Sequence, residues 1–273
     1  MPLYPYLFSL TLMLGSAFVA AEQTQEEQTE TEAPVPTTGR GPVVLLHGLA
    51  RTENSMNLMA EALEQAGYEV CNLYYPSTEH PVEELVEKTV LPAVELCAMG
   101  RPVDFVTHSM GGILVRYLHN IAPELPMGRT VMLAPPNKGS ELVDELGELT
   151  LFTWLNGPAG HQMGTGEASL PRSLGPADFE VGIIAGTRSL NPVLSGMIPG
   201  EDDGKVSLES ARLEGMSDYL EAAVTHTFMM RDEEVIRQSL HFLDKGRFDR
   251  EGGEAAPRQA RGRPQSRRPG WNR

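Results

Sequence analysis

Positive charge is scarce in this sequence. Its 273 residues hold 22 Lys and Arg against 37 Asp and Glu, a formal net charge of −15. What cation there is collects at one end: from Arg247 onward eight Arg face three acids, +5, which leaves −20 for residues 1–246. A body of that sign repels polyanions, and phosphate neutralisation needs clustered Lys and Arg, so nucleic acid is excluded as a partner of the folded part. Cysteine is nearly absent, with only Cys71 and Cys97. Neither stands at ligand spacing from a histidine, so no metal site is expected. In an oxidising compartment the two could form a bridge, and the alternative is two buried thiols, one on a strand and one on a helix. Internal repeats are also lacking.

Charge is missing altogether from residues 1–21, which run through an apolar stretch, Leu7 to Val19, into Ala20 and Ala21. That pattern predicts an export signal cleaved after Ala21, giving a periplasmic or extracellular protein. The alternative is an uncleaved N-terminal anchor, since about 20 apolar residues span a bilayer. Residues 22–40 are acidic, with Gln, Thr and Pro and little to bury, and read as a disordered linker. Residues 247–273 read as a basic disordered tail rich in Arg, Pro and Gly. The remaining 41–246 is long enough for one well-cored domain and short for two. At 41% hydrophobic and 22% charged residues, the chain as a whole is neither disordered nor a polytopic membrane protein.

Within that domain, short apolar runs alternate with amphipathic ones, the pattern of parallel strands joined by helices. Strands are expected at 43–46, 68–75, 103–107, 130–133, 181–185 and 222–225. Helices are expected where Met56, Met59, Ala60 and Leu63 recur before Gly67, from Pro81 with a kink at Pro92, after Ser109, and from Asp232 as N-cap to Gly246. A long irregular stretch covers 137–177. The fold class is therefore α/β, a single domain with a mostly parallel sheet of about six strands and helices on both faces.

Val103-Asp104-Phe105-Val106-Thr107-His108-Ser109-Met110-Gly111-Gly112 places a serine in a tight turn between a buried strand and a helix. That is the arrangement of a nucleophile elbow, where small residues let the chain turn sharply and expose the hydroxyl. Thr107 stands where G-x-S-x-G has its first glycine. Beyond Ser109 an acid and then a histidine should follow on loops after later strands. His161 falls in the irregular stretch and His241 on a polar helix face, which leaves His226, at the end of the 222–225 strand, as general base. Asp203, in Glu201-Asp202-Asp203-Gly204, is the candidate acid, with Asp202 the second choice. The loop Leu46-His47-Gly48-Leu49 follows the first strand, and the N–H groups of Leu49 and Met110 are the candidate oxyanion donors. His47 and His108 read as structural. Leu149 to Leu155 is apolar and could form a lid, an acyl-pocket wall or simply another packed helix.

These pieces, together with Ala134-Pro135-Pro136-Asn137-Lys138-Gly139-Ser140 and Asp203-Gly204-Lys205-Val206, resemble the α/β-hydrolase superfamily, within it small bacterial triacylglycerol lipases and esterases. The resemblance spans about residues 42–245. It implies that fold, the triad Ser109, His226 and Asp203, and hydrolysis of acyl esters without a cofactor. The implied partner is a small-molecule ester or lipid, with contact to a membrane surface as a further expectation. A thioesterase, amidase or acyltransferase with the same triad, or a non-catalytic binding protein, are the alternatives.

Overall fold

The computed structural model describes residues 40–146 and 157–250. Six strands form one sheet: β1 (Pro42–Leu46), β2 (Glu69–Leu73), β3 (Val103–His108), β4 (Met127–Leu133), β5 (Val181–Gly186) and β6 (Asp218–Ala222). Every neighbouring pair is parallel and the spatial order is β2-β1-β3-β4-β5-β6. The chain steps outward from β1 to β2, then returns past β1 to β3. The order therefore reverses between β1 and β3, and the crevice at the carboxyl ends of these two strands is where ligands bind in open α/β sheets.

Side chains on the strands divide between two cores. Val44, Leu46, Phe105, Met132 and Ile183 point to one face and pack with Leu85, Val94, Ile113 and Leu114. Val43, Leu45, Val106, Val131 and Ile184 point to the other, against Met56, Met59, Leu63, Val235 and Phe242. The alternation follows from the two-residue period of a strand. Both faces are thus covered by helices, which is why β1 and β5 are buried at every residue and read as continuous apolar runs.

The first covering helix, α1 (Asn57–Gln65), ends before Gly67, which takes φ +89°. The segment from Pro81 does not break at Pro92. A helical turn at Val82–Leu85 widens into a π turn at Val86–Val90 and continues as α2 (Leu91–Ala98). Proline has no N–H for the preceding turn and its ring crowds that turn's carbonyl, and the wider turn makes room for both. Next come α3 (Met110–Ile121) and, at the end of the described chain, α4 (Glu233–Lys245). Asp232 caps α4 by accepting from the Glu234 and Val235 N–H groups, and Gly246 closes it at φ +70°. The stretch 137–177 contains helical segments among its described residues at Glu141–Leu146, 157–161 and Leu170–Ser173.

One strand lies elsewhere than the sequence suggests. β6 is Asp218–Ala222, not 222–225. It is the edge strand and is half-buried over most of its length, so Asp218 and Glu221 are tolerated in it. Beyond Ala222 the chain curls away, the Val224 N–H returning to the Ala222 carbonyl at 2.8 Å. His226 therefore lies on the loop after β6 rather than at a strand end.

Cys71 on β2 and Cys97 on α2 form a disulfide, with their Cα atoms 6.3 Å apart. It ties the other edge strand to the helix that covers it. Among the described residues no helix is long and apolar enough to cross a membrane.

Candidate active site

Ser109 sits between β3 and α3 at φ +54°, ψ −123°. A side chain rarely adopts that conformation, and holding it costs on the order of 1–3 kcal/mol. The surroundings fix it: the Ser109 N–H donates to the Leu133 carbonyl at 2.8 Å, and its own carbonyl accepts from Gly112 at 3.0 Å. Gly111 is required here because a Cβ on it would lie 2.7 Å from the Leu46 carbonyl oxygen. Thr107 is accommodated because it is an ordinary extended residue of β3, paired with Leu46 and Met132. Its hydroxyl is buried and has no partner.

The structure brings Ser109, His226 and Asp203 together. His226 Nε2 is 3.1 Å from Ser109 Oγ, and His226 Nδ1 is 2.8 Å from Asp203 Oδ2. A carboxylate only accepts, so Nδ1 carries the proton and Nε2 faces the serine hydroxyl as the acceptor. The second oxygen of Asp203 accepts from the Lys205 and Val206 N–H groups at 3.0 and 2.9 Å, and the Asp203 carbonyl accepts from the His226 N–H at 3.0 Å. Gly186, at the end of β5, lets this loop approach, since a Cβ there would lie 2.7 Å from that of Asp203. Asp202 is turned elsewhere. It accepts from the Ser195 hydroxyl at 2.6 and 2.7 Å and from the Gly204 N–H at 2.6 Å.

The loop after β1 closes the other side. The His47 ring stacks on Tyr75 at 4.0 Å, Nδ1 lies 2.9 Å from the Gly48 carbonyl, and Tyr75 donates its hydroxyl to the His47 carbonyl. Burial pushes the His47 pKa down. A Cβ on Gly48 would lie 2.8 Å from His108 Nδ1 and 3.2 Å from Ser109 Cβ, so only glycine lets this loop rest against the elbow. Leu49 and Met110 both line the cavity that opens on Ser109 and His226. That cavity holds about 400 Å³, and Leu142, Val143, Leu146, Met163, Leu194 and Val206 supply much of its wall. Leu142, Val143 and Leu146 come from the short helix Glu141–Leu146 and Leu194 from a helical turn, segments too short for periodicity to assign. A larger cleft of about 560 Å³ lies by Asp104, Arg129 and Glu180, at the amino ends of the strands and away from the serine.

The loop Ala134 to Ser140 is pinned by buried Arg116, which donates to the Asn137 carbonyl and side chain, each at 3.2 Å, and to the Gly175 carbonyl at 2.7 Å. Desolvation lowers the Arg116 pKa to about 10. Pro136 and Ser140 of this loop face the cavity. Of the set-aside histidines, His161 is exposed and His241 is half-buried on α4; neither lines the cavity. The apolar segment Leu149 to Leu155 lies outside the described residues.

No family model matches the sequence. Among solved structures, the chain is similar to the mature lipase BlEst2 of Bacillus licheniformis, with TM-score 0.59 and 22% identity, over 78% of this chain and 94% of that one. It is similar to the phospholipase PlaB of Legionella pneumophila, with TM-score 0.60 and 16% identity, over 70% and 56%. A third is a monoacylglycerol lipase of Paleococcus ferrophilus, with TM-score 0.51 and 17% identity, over 76% and 95%. The chain has the α/β-hydrolase fold. On that fold the carboxyl ends of the strands carry the site, and in this chain they carry Ser109, Asp203 and His226 on the loops after β3, β5 and β6.

Proposed function

We propose that this protein hydrolyses carboxylic esters through an acyl-enzyme on Ser109. The reading rests on one observation, the hydrogen-bonded row from Ser109 Oγ through His226 to Asp203, opening on a cavity with largely apolar walls. His226 Nε2 takes the hydroxyl proton as Oγ bonds to the ester carbonyl carbon, and Asp203 stabilises the imidazolium that results. The N–H groups of Leu49 and Met110 receive the oxyanion. The imidazolium returns its proton to the departing alkoxide, the alcohol leaves, and water activated by His226 releases the acid. The walls suit an acyl chain, in keeping with the lipases and phospholipase of similar fold. Lipid esters and a membrane-surface encounter follow from that fit.

A fluorophosphonate probe tests the assignment directly. Wild-type protein is expected to be labelled and to cleave p-nitrophenyl esters, and Ser109→Ala to lose both, with turnover down by on the order of 10⁶. Near wild-type activity in the alanine variant would refute the nucleophile. Absence of labelling would favour a non-catalytic protein on this fold. A neighbouring thioesterase or acyltransferase activity would share the labelling and differ in the preferred acyl acceptor.

Export is part of the same proposal. The uncharged, apolar first 21 residues and the Cys71–Cys97 bridge, which persists in an oxidising compartment, support it. Mass spectrometry of the processed protein is expected to find Glu22 at the amino terminus, whereas an intact Met1 in the membrane fraction would mean an anchor.

A further inference from the structure

Beside the apolar cavity lies a second hollow of about 520 Å³, and the two share Ala50 and Arg51 as a common wall. The second has mixed walls, with Arg51, Arg231, Asn54, Ser77, Thr78 and Glu79 beside Ala50, Tyr74, Tyr75 and Pro76. Lys205 lines the first; desolvation, and then the like charge of Arg51, lower its pKa, and Asp203 offsets this only in part. Among the described residues nine cations, Arg40, Lys88, Arg101, Arg129, Lys138, Arg212, Arg237, Lys245 and Arg250, reach a carboxylate. Arg51, Lys205 and Arg231 make no ion pair among the described residues; the same holds for Arg116, Arg172, Arg188 and Arg247, but of these seven only the first three line the two hollows. Arg51 lines both hollows, with Lys205 beside it in the first and Arg231 in the second. Three cations without an ion pair across two adjoining hollows, two of them repelling each other, form an arrangement that an anion relieves.

We propose that the ester this protein accepts carries an anionic group, phosphate or carboxylate, on its alcohol portion, seated at Arg51 with Lys205 and Arg231 flanking it. The proposal rests on the hydrolase reading and adds the substrate class. The acyl chain takes the apolar cavity, the scissile carbonyl lies at Ser109, and the charged alcohol portion extends across Arg51 into the second hollow. Arginine suits the role because its fork of N–H donors matches a phosphate or carboxylate. The charge of −20 over residues 1–246 disfavours anions over much of the rest of that region.

Calorimetric binding of hexyl phosphate, hexanol and inorganic phosphate to the full chain tests this without passing through turnover. Hexyl phosphate is expected to bind roughly tenfold or more tightly than hexanol, since exposed charge contacts contribute up to a few-fold each. Inorganic phosphate alone should bind more weakly than hexyl phosphate. In R51Q/K205Q/R231Q the preference over hexanol should fall towards one, with the melting temperature reporting folding; should that variant unfold, Arg51→Glu alone should reverse the preference. Equal binding of hexyl phosphate and hexanol, or a preference that survives the substitutions, overturns the proposal. Equal affinity for inorganic and hexyl phosphate also overturns it, since the site would then hold a free anion rather than an ester. Fluorophosphonate labelling of Ser109 remains a separate readout, so either reading can fail alone.

Discussion

His108 Nε2 lies 2.9 Å from the main-chain carbonyl oxygen of His226. A carbonyl only accepts, so Nε2 carries the hydrogen and Nδ1 is bare, buried and without a partner. The side chain next to the nucleophile in sequence thus holds the backbone of the proposed general base. Burial, and then the neighbouring His226, keep the His108 pKa well below the ordinary histidine value. A neutral ring here leaves room for the positive charge that His226 acquires during attack.

Replacing His108 should therefore act through His226. His108→Ala removes the donor to the His226 carbonyl and is expected to lower kcat about tenfold or more, because small misplacements of a reacting group are costly. KM should change little. His108→Gln, which offers an N–H at similar reach, should recover part of the loss at comparable melting temperature. If both variants lose stability but keep kcat, His108 is only packing.

Asp203 and Asp202 are adjacent in sequence and opposite in role. Asp203 receives His226 Nδ1, while Asp202 holds the Ser195 hydroxyl and the Gly204 N–H. Asp203→Asn should lower kcat by on the order of 10⁴, the scale for a triad acid made neutral. Asp202→Asn should mainly lower the melting temperature, with kcat within about tenfold of wild type. Esterase kinetics on the two variants would expose a reversed assignment at once.

The buried centre of the fold was legible from the sequence and its edges less so. β1 and β5 announce themselves as apolar runs because both faces are covered, and Ser109 is flagged by the glycines that the turn needs. β6 was displaced because an edge strand admits Asp218 and Glu221, whereas the apolar Ala222–Val224 run belongs to a curl that leaves the sheet. His226 could still be found by elimination among histidines. No local pattern reveals that Arg116 pins Asn137, since residues 21 apart in sequence meet only after folding.

Two buried histidines make stability sensitive to mild acid. Burial lowers the pKa of both His47 and His108 in the folded state, whereas each takes up a proton near pH 6.5 once unfolded. Below about pH 6.5 the unfolded chain binds more protons than the native one, so stability falls as pH drops, by up to about 1.4 kcal/mol per pH unit for each histidine. Denaturant midpoints should thus be lower at pH 5 than at pH 7. His108→Gln should flatten the slope by about one proton, and an unchanged slope would mean that His108 is protonated in the folded protein.

The Cys71–Cys97 bridge closes a segment with a sequence separation of 26 and fastens edge strand β2 to α2. In the chain-entropy model a loop of this size contributes about 3–4 kcal/mol. Cys71→Ser/Cys97→Ser should lower the melting temperature by roughly 10 °C on the usual scale for a domain of this size, and reduction of wild type should do the same. Activity at low temperature should persist, because neither cysteine lines the cavity that opens on Ser109. Two free thiols in the unreduced protein would rule the bridge out.

Thr107 offers a prediction of opposite sign. Its hydroxyl is fully buried at the end of β3 with no partner, and an unpaired buried hydroxyl costs about 1–3 kcal/mol. Valine has nearly the same shape without the polar atom and favours a strand. Thr107→Val is therefore expected to stabilise by about 1 kcal/mol, raising the melting temperature by roughly 2–4 °C, with kcat unchanged. Thr107→Gly, which restores the usual elbow glycine, should destabilise instead, because the strained backbone conformation falls on Ser109 and residue 107 needs no glycine. A valine variant less stable than wild type would mean that the hydroxyl is satisfied in solution.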